Sequence, residues 1–181
     1  MKLIEAIATR HSVRSYTDEK ISDEIADELR AFIDQCNKDS GLHFQLGLDK
    51  PEAFDSKIFN YGMIKNCHNY IALVGPKKGK DEAIGYYGEK VVLRAQQLGL
   101  NTCWLGLTYS KSKTDVFIKK GEKLRLLIAL GYGETQGKPH KSKDIRELCK
   151  APEDMPEWFI KGMDAAMKAP TSINQQKFLI I

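Results

Sequence analysis

No run of apolar residues in this chain approaches the eighteen or so that a membrane-spanning helix needs, and the opening MKLIEAIATRHSVRSY lacks the uninterrupted apolar stretch of a secretory signal. A cytoplasmic protein with no membrane partner is the expectation. Cysteine is sparse: Cys36, Cys67, Cys103 and Cys149 stand apart without a CxxC pair, which argues against a zinc site and a disulfide framework and for free, mostly buried thiols. The four histidines are isolated. No HExxH, no Ser-His-Asp order and no paired carboxylates emerge, so neither a metal site nor side-chain acid–base catalysis is predicted; a cofactor would carry any chemistry. Low-complexity sequence is absent too, and 42% hydrophobic with 29% charged residues is ordinary for a globular chain.

At 181 residues the chain suits one domain over 1–181. Its net charge of +4 comes from lysines mixed with acids, in excess at KSKTDVFIKKGEK and KPHKSKDIRELCK. Such stretches attract an anion such as a phosphate or nucleotide, but without clustered aromatics they predict no nucleic-acid partner.

Helical and strand patterns alternate without strict βαβ repetition. Leu3, Ile4 and Ile7 share one face of a short first helix. SDEIADELRAFIDQC is an amphipathic helix capped by Ser22, with a stripe of Ile25, Leu29, Phe32, Ile33 and Cys36. GLHFQLGL alternates as a half-buried strand, the loop DKPEAFDSK follows, and YIALVG suits a buried strand. Residues 81–98 repeat apolar positions at helical spacing and stop at Gly99. NTCWLG and LRLLIALG are strands, SKTDVFIKK a short helix opened by a Ser112 to Asp115 capping box, PEWFIKGMDAAMK a helix, and KFLII a final strand. The predicted class is α+β: helices covering a mixed, mainly antiparallel sheet. Residues 24–46 and 158–180 share a helix, polar turn and strand pattern, with Ile25 over Phe159, Leu29 over Met163 and Phe44 over Phe178.

Two tempting glycine motifs fail on spacing. GPKKGKD has three residues between its glycines and Asp81 where a P-loop needs Ser or Thr, so it reads as an exposed basic turn. GYGE lacks the third glycine of a dinucleotide fingerprint. TRHSVRSY is different: Arg10, His11, Ser12 and Arg14 place two guanidiniums and a hydroxyl where the chain leaves a helix, able to meet one anion bidentately or to form a solvated basic turn. KAPTSINQQKF clusters hydroxyls and amides after a proline. These groups suit either a flat polar heterocycle or local bonds at a helix end.

Taken with EKVVLRAQQLGLNTCWLG and LLIALGYGE, these stretches resemble the nitroreductase family of flavin enzymes: its Arg-x-Ser-x-Arg start, its central helix with glycine stop and strand, its late buried strand and turn, and its Ala-Pro-Ser-x-x-Asn-x-Gln segment. The resemblance spans residues 8–178. It implies an α+β sandwich binding FMN, usually as a homodimer whose interface holds the flavin, with NADH or NADPH as hydride donor and a nitroaromatic or quinone as acceptor. By the resemblance, Arg10, His11, Ser12 and Arg14 hold the phosphate, ribityl chain and pyrimidine edge. Pro170, Thr171, Ser172 and Asn174 line the flavin. Trp104, Leu105 and Gly106 lie against the isoalloxazine, and His140 or Lys141 falls where a basic phosphate ligand often stands. No side chain is needed as a proton donor.

The resemblance also has departures. In most members the Ala-Pro-Ser segment follows the first amphipathic helix; here CNKDSGLHFQL fills that slot and the segment comes after the last helix, as in a permuted branch with two equivalent helix units. Many members run on into a tail around the partner subunit, whereas this sequence stops at Ile181, and PHK replaces the usual late arginine. A flavin- or nucleotide-binding protein without turnover, and a scaffold that has lost its ligand, are the alternatives. The loop LDKPEAFDSKIFNYGMIKN carries no readable acceptor chemistry.

Overall fold

The computed structural model describes residues 1–55, 64–152 and 154–181. Among them, β1 (Gln45–Gly47), β2 (Asn69–Pro76), β3 (Asn101–Leu105) and β4 (Glu122–Gly131) form an antiparallel sheet in the order β1-β2-β4-β3. Among the described residues, parallel pairing occurs only in isolated bridges such as Ser12 with Thr102. The helices are α1 (Leu3–Thr9), α2 (Asp23–Ser40), α3 (Asp81–Gln97), α4 (Ile145–Leu148) and α5 (Glu157–Ala166).

β2 and β4 read as unbroken apolar runs because both of their faces are buried. Ile71, Leu73, Ile128 and Leu130 point to the face covered by α2 and α3, where they meet Leu29, Ile33, Val91, Val92 and Ala95. Tyr70, Ala72, Val74, Leu127 and Ala129 point to the other face, covered by Val13, Tyr16, Ala53 and Tyr109 from connecting segments. The period-2 alternation sorts one strand into two cores. Between Leu73 and Val74 the register slips, leaving Arg125 without a cross-strand partner. Its guanidinium turns to the Pro76 and Gly79 carbonyls and to Asp81, closing the basic turn 77–80.

α2 begins as its sequence directs: Ser22 Oγ accepts from the Ile25 N–H and Gly41 ends the helix at φ 66°. After α1 the chain turns extended. Val13 N–H donates to the Thr102 carbonyl (3.0 Å) and Thr17 N–H to Tyr132 (2.8 Å), so residues 10–17 run along the ends of β3 and β4.

Three local expectations give way. SKTDVFIKK is not a helix: both carboxamide atoms of Gln45 bond the Phe117 backbone, Thr114 bonds the Ser110 carbonyl, and Val116 packs on the core, contacts worth more than two helical turns. KFLII is not a strand; with only the Ile180 to Cys149 bridge it lacks a ladder, and Leu179 and Ile181 stay exposed. GLHFQLGL forms a ladder over Gln45–Gly47; before it a single His43 N–H bond to the Val74 carbonyl (3.0 Å) reaches β2, and the Asn37 side chain holds Phe44. The two similar units also pack differently: Leu29 and Phe44 are buried, while Met163 and Phe178 are half-buried and α5 has no buried residue. The last two residues of the DKPEAFDSK loop, and residues 56–63 of the longer stretch LDKPEAFDSKIFNYGMIKN, lie outside the described residues.

Candidate functional site

Where the extended segment 10–15 passes the end of the sheet, it forms one wall of a cavity of about 710 Å³. Arg10, His11, Ser12, Val13, Arg14 and Ser15 make that wall. Thr135, Gly137, Lys138 and His140 make the second, and Pro170, Thr171, Ile173 and Asn174 the third. Stretches some 160 residues apart in sequence thus meet around one space: despite the altered motif order, the Arg-His-Ser-Val-Arg and Pro-Thr-Ser-Ile-Asn segments line one cavity within a single chain.

Each wall has an identifiable support. Asn101, buried at the start of β3, accepts the Gly133 N–H on its carbonyl (2.9 Å) and donates to Gln136 (3.0 Å), fixing the second wall. Gly137, at φ 76°, has to be glycine: a Cβ there would stand 2.8 Å from His11 Cβ and 3.3 Å from the Ser12 carbonyl. Gln176, 3% exposed, secures the third wall. Its amide nitrogen donates to the Lys141 carbonyl (2.9 Å) and its oxygen accepts from Lys143 N–H (2.9 Å). Asn174 also donates to the Lys141 carbonyl (3.0 Å), and the Gln176 N–H donates to Thr171 Oγ1 (3.0 Å). Ile173 holds φ 43° while 88% exposed, a left-handed conformation costly for a β-branched residue, at the rim of the cavity.

The cavity is electropositive. Arg10, Arg14 and Lys138 line it with two histidines, and no Asp or Glu is among its described walls. Arg14 is exposed toward it, whereas Arg10 is 5% exposed and pairs with Glu89 of α3 (Nε to Oε1, 3.3 Å). Burial, then the charges of Arg10 and His140, holds the His11 imidazole below its ordinary 6.5. At neutral pH His11 is therefore a neutral hydrogen-bonding group. His140 Nε2 donates to the Met167 carbonyl (3.1 Å), joining the second and third walls. A smaller cleft of about 220 Å³ has Asp18, Glu19 and Asp49 among its walls and does not suit an anion.

Of the residues singled out in the sequence, Arg10, His11, Ser12, Arg14, His140, Pro170, Thr171 and Asn174 line the cavity. Ser172 and Lys141 do not; the Lys141 carbonyl serves as the anchor for Asn174 and Gln176. Trp104, Leu105 and Gly106 also stand apart from it: Leu105 is buried in the second core, Gly106 is exposed, and the Trp104 indole lies over Gly88 of α3. Sequence reasoning missed Lys138, Gly137, Asn101, Gln176 and Glu89. Gln176 stands at the Gln of the Asn-x-Gln motif that carries the resemblance, whereas Glu89 and Asn101 lie inside EKVVLRAQQLGLNTCWLG with nothing in their spacing to mark them as supports.

The family model described as "Putative TM nitroreductase" matches residues 2–181. The chain belongs to this nitroreductase family. Among solved structures, a protein named as a nitroreductase from Thermotoga maritima superposes with a TM-score of 0.69 at 22% identity, over 97% of this chain and 69% of that one. A nitroreductase from Desulfovibrio desulfuricans, in complex with FMN, gives 0.63 at 19% identity over 84% and 98% of the two chains. An FMN-dependent nitroreductase from Clostridium difficile gives 0.57 at 18% over 80% and 94%. No curated protein matches. These likenesses establish the nitroreductase fold, and among the described residues no helix is long and apolar enough to cross a membrane.

Proposed function

We propose that this nitroreductase-family protein is an FMN-dependent NAD(P)H oxidoreductase that reduces flat, electron-poor acceptors such as nitroaromatics or quinones. The observation that carries the reading is the cavity itself: two arginines, a lysine, and Ser and Thr hydroxyls converge without a carboxylate on a space of about 710 Å³, a size usual for cofactor sites. Those groups fit a phosphate monoester, which takes guanidinium N–H bidentately and accepts further bonds from hydroxyls. The amide and hydroxyl of Asn174 and Thr171 and the ring of Pro170 offer the polar and apolar contacts that a ribityl chain and heterocycle need. When bound, FMN supplies the two-electron chemistry, taking hydride from the nicotinamide and giving it to the acceptor. The protein's part is to hold and orient: Arg10, Arg14, Ser12 and Lys138 at the phosphate, Pro170, Thr171 and Asn174 along the cofactor. Exposed apolar side chains on α1 and α5, Leu3, Ile4 and Trp158 among them, favour a homodimer as the working unit.

The test is the visible spectrum of the purified protein mixed with FMN and then with NADH or NADPH in the absence of oxygen. The flavin bands appear with the protein after gel filtration and bleach on addition of the nicotinamide. Flavin that is retained but does not bleach contradicts the enzymatic reading and supports a binding protein without turnover. Replacing Arg10 and Arg14 together by Ala abolishes retention; unchanged flavin content in that variant contradicts the site.

A further inference from the structure

A carboxylate that is not among the residues lining the cavity pairs with one of its walls. Glu89, on α3, directs Oε1 to Arg10 (3.3 Å from Nε), while its Oε2 accepts the Trp104 indole N–H (3.0 Å). On its far side Arg10 donates through Nη2 to the Lys168 carbonyl (3.3 Å), where the third wall begins. A guanidinium is planar with five N–H donors, so the Nη2 hydrogen bond to Lys168 together with the ion pair at Nε restricts where the remaining N–H groups point. Arg10 is itself a wall of the cavity and is 5% exposed, which leaves it no freedom to turn into solvent.

We propose that Glu89 is a positioning residue for the cavity: gripping Arg10 from behind, it sets the guanidinium plane so that its free N–H groups meet the phosphate of a phosphate monoester. The proposal rests on the reading of this cavity as a phosphate-holding site. The Arg10 charge and the Trp104 N–H meet Glu89 at different oxygens, and only a carboxylate supplies both the negative charge for the first and an acceptor for the second. In Glu89→Gln the ion pair with Arg10 is lost while the amide oxygen can still accept the Trp104 N–H, so the guanidinium is released. Burial works against the ionised carboxylate, with Arg10 and the Trp104 N–H opposing that effect, as expected of a charge retained for its geometry.

The experiment compares wild type, E89Q and E89D for binding of inorganic phosphate, FMN and riboflavin, which is the same ring system without phosphate, with thermal unfolding as the check on folding. Glu89→Gln weakens phosphate and FMN by about tenfold, the size usual when a residue that orients a liganding group is replaced, and leaves riboflavin binding unchanged. Glu89→Asp falls between, and carries the same comparison should E89Q fail to fold. Equal or tighter binding of phosphate and FMN by the variants overturns the proposal. So does an equal loss for FMN and riboflavin, which is the mark of a merely structural role. A wild type that binds inorganic phosphate but not FMN sinks the cofactor reading and leaves Glu89 to be judged on phosphate alone; a wild type that binds neither overturns both.

Discussion

Single residues divide the cavity's work between binding and support. Arg14 is exposed and lines the space, so Arg14→Ala removes a ligand and little else. Its FMN affinity falls by about tenfold or more, the worth of hydrogen bonds to a charged group, while stability stays within about 0.5 kcal/mol of wild type; flavin titration and chemical denaturation measure the two. Gly137→Ala does the reverse. A left-handed backbone and a Cβ 2.8 Å from His11 Cβ impose a cost of about 1–3 kcal/mol, visible in denaturation, and displace the first wall enough to weaken FMN as well. Glu89 carries a pH signature. Burial raises its pKa above the ordinary 4.5, so the folded chain binds that proton more readily than the unfolded chain. Its contribution to stability is therefore fully present in acid and is lost as pH rises through the raised value. The stability advantage of wild type over E89Q shrinks between pH 4.5 and neutrality; an advantage that grows over that interval contradicts the assignment.

At the level of elements, legibility followed how far each segment's bonds are its own. α2 was readable because its Ser22 cap and apolar stripe are written within the segment, α3 because its apolar spacing and the glycine that follows it are, and β2 and β4 because burial on both faces leaves an unbroken apolar run. Residues 112–120 and 177–181 were not, since their conformation is decided by Gln45 and Cys149, far off in sequence. The polar cluster 170–174 was half-legible. Pro170, Thr171 and Asn174 do face the cavity, yet the loop's shape comes from Gln176 reaching across to Lys141 and Lys143. Gln176→Ala leaves those partners unpaired and costs about 2 kcal/mol locally. Hydrogen exchange shows the loss as faster exchange in residues 168–178 with the sheet unaffected; unchanged protection there removes Gln176 from its supporting role.

For the whole molecule, the fold class was anticipated from resemblance, whereas the resemblance left open whether the Arg-rich and Pro-Thr-Ser-Ile-Asn segments meet within one chain. That the two meet despite their altered order is a tertiary fact: the 10–17 segment rides the sheet's end, and Arg10 and His140 bond the backbone just before Pro170. The thiols report on the integrity of this arrangement. Cys36, Cys67 and Cys103 are buried, with the Cys67 thiol pushed up to about 12 by burial, while Cys149 is half-buried. A thiol reagent at neutral pH reacts quickly with Cys149 in the native protein and with all four cysteines after denaturation.

The central proposal is that one basic cavity, with no carboxylate among its described walls, holds the phosphate of FMN within a single chain. Titrating apoprotein with FMN, wild type against Arg14→Ala, tests it most directly. Saturation at one FMN per chain, with the variant weakened about tenfold or more, is the predicted result. Failure of the wild type to bind FMN, or equal affinity in the two proteins, contradicts it.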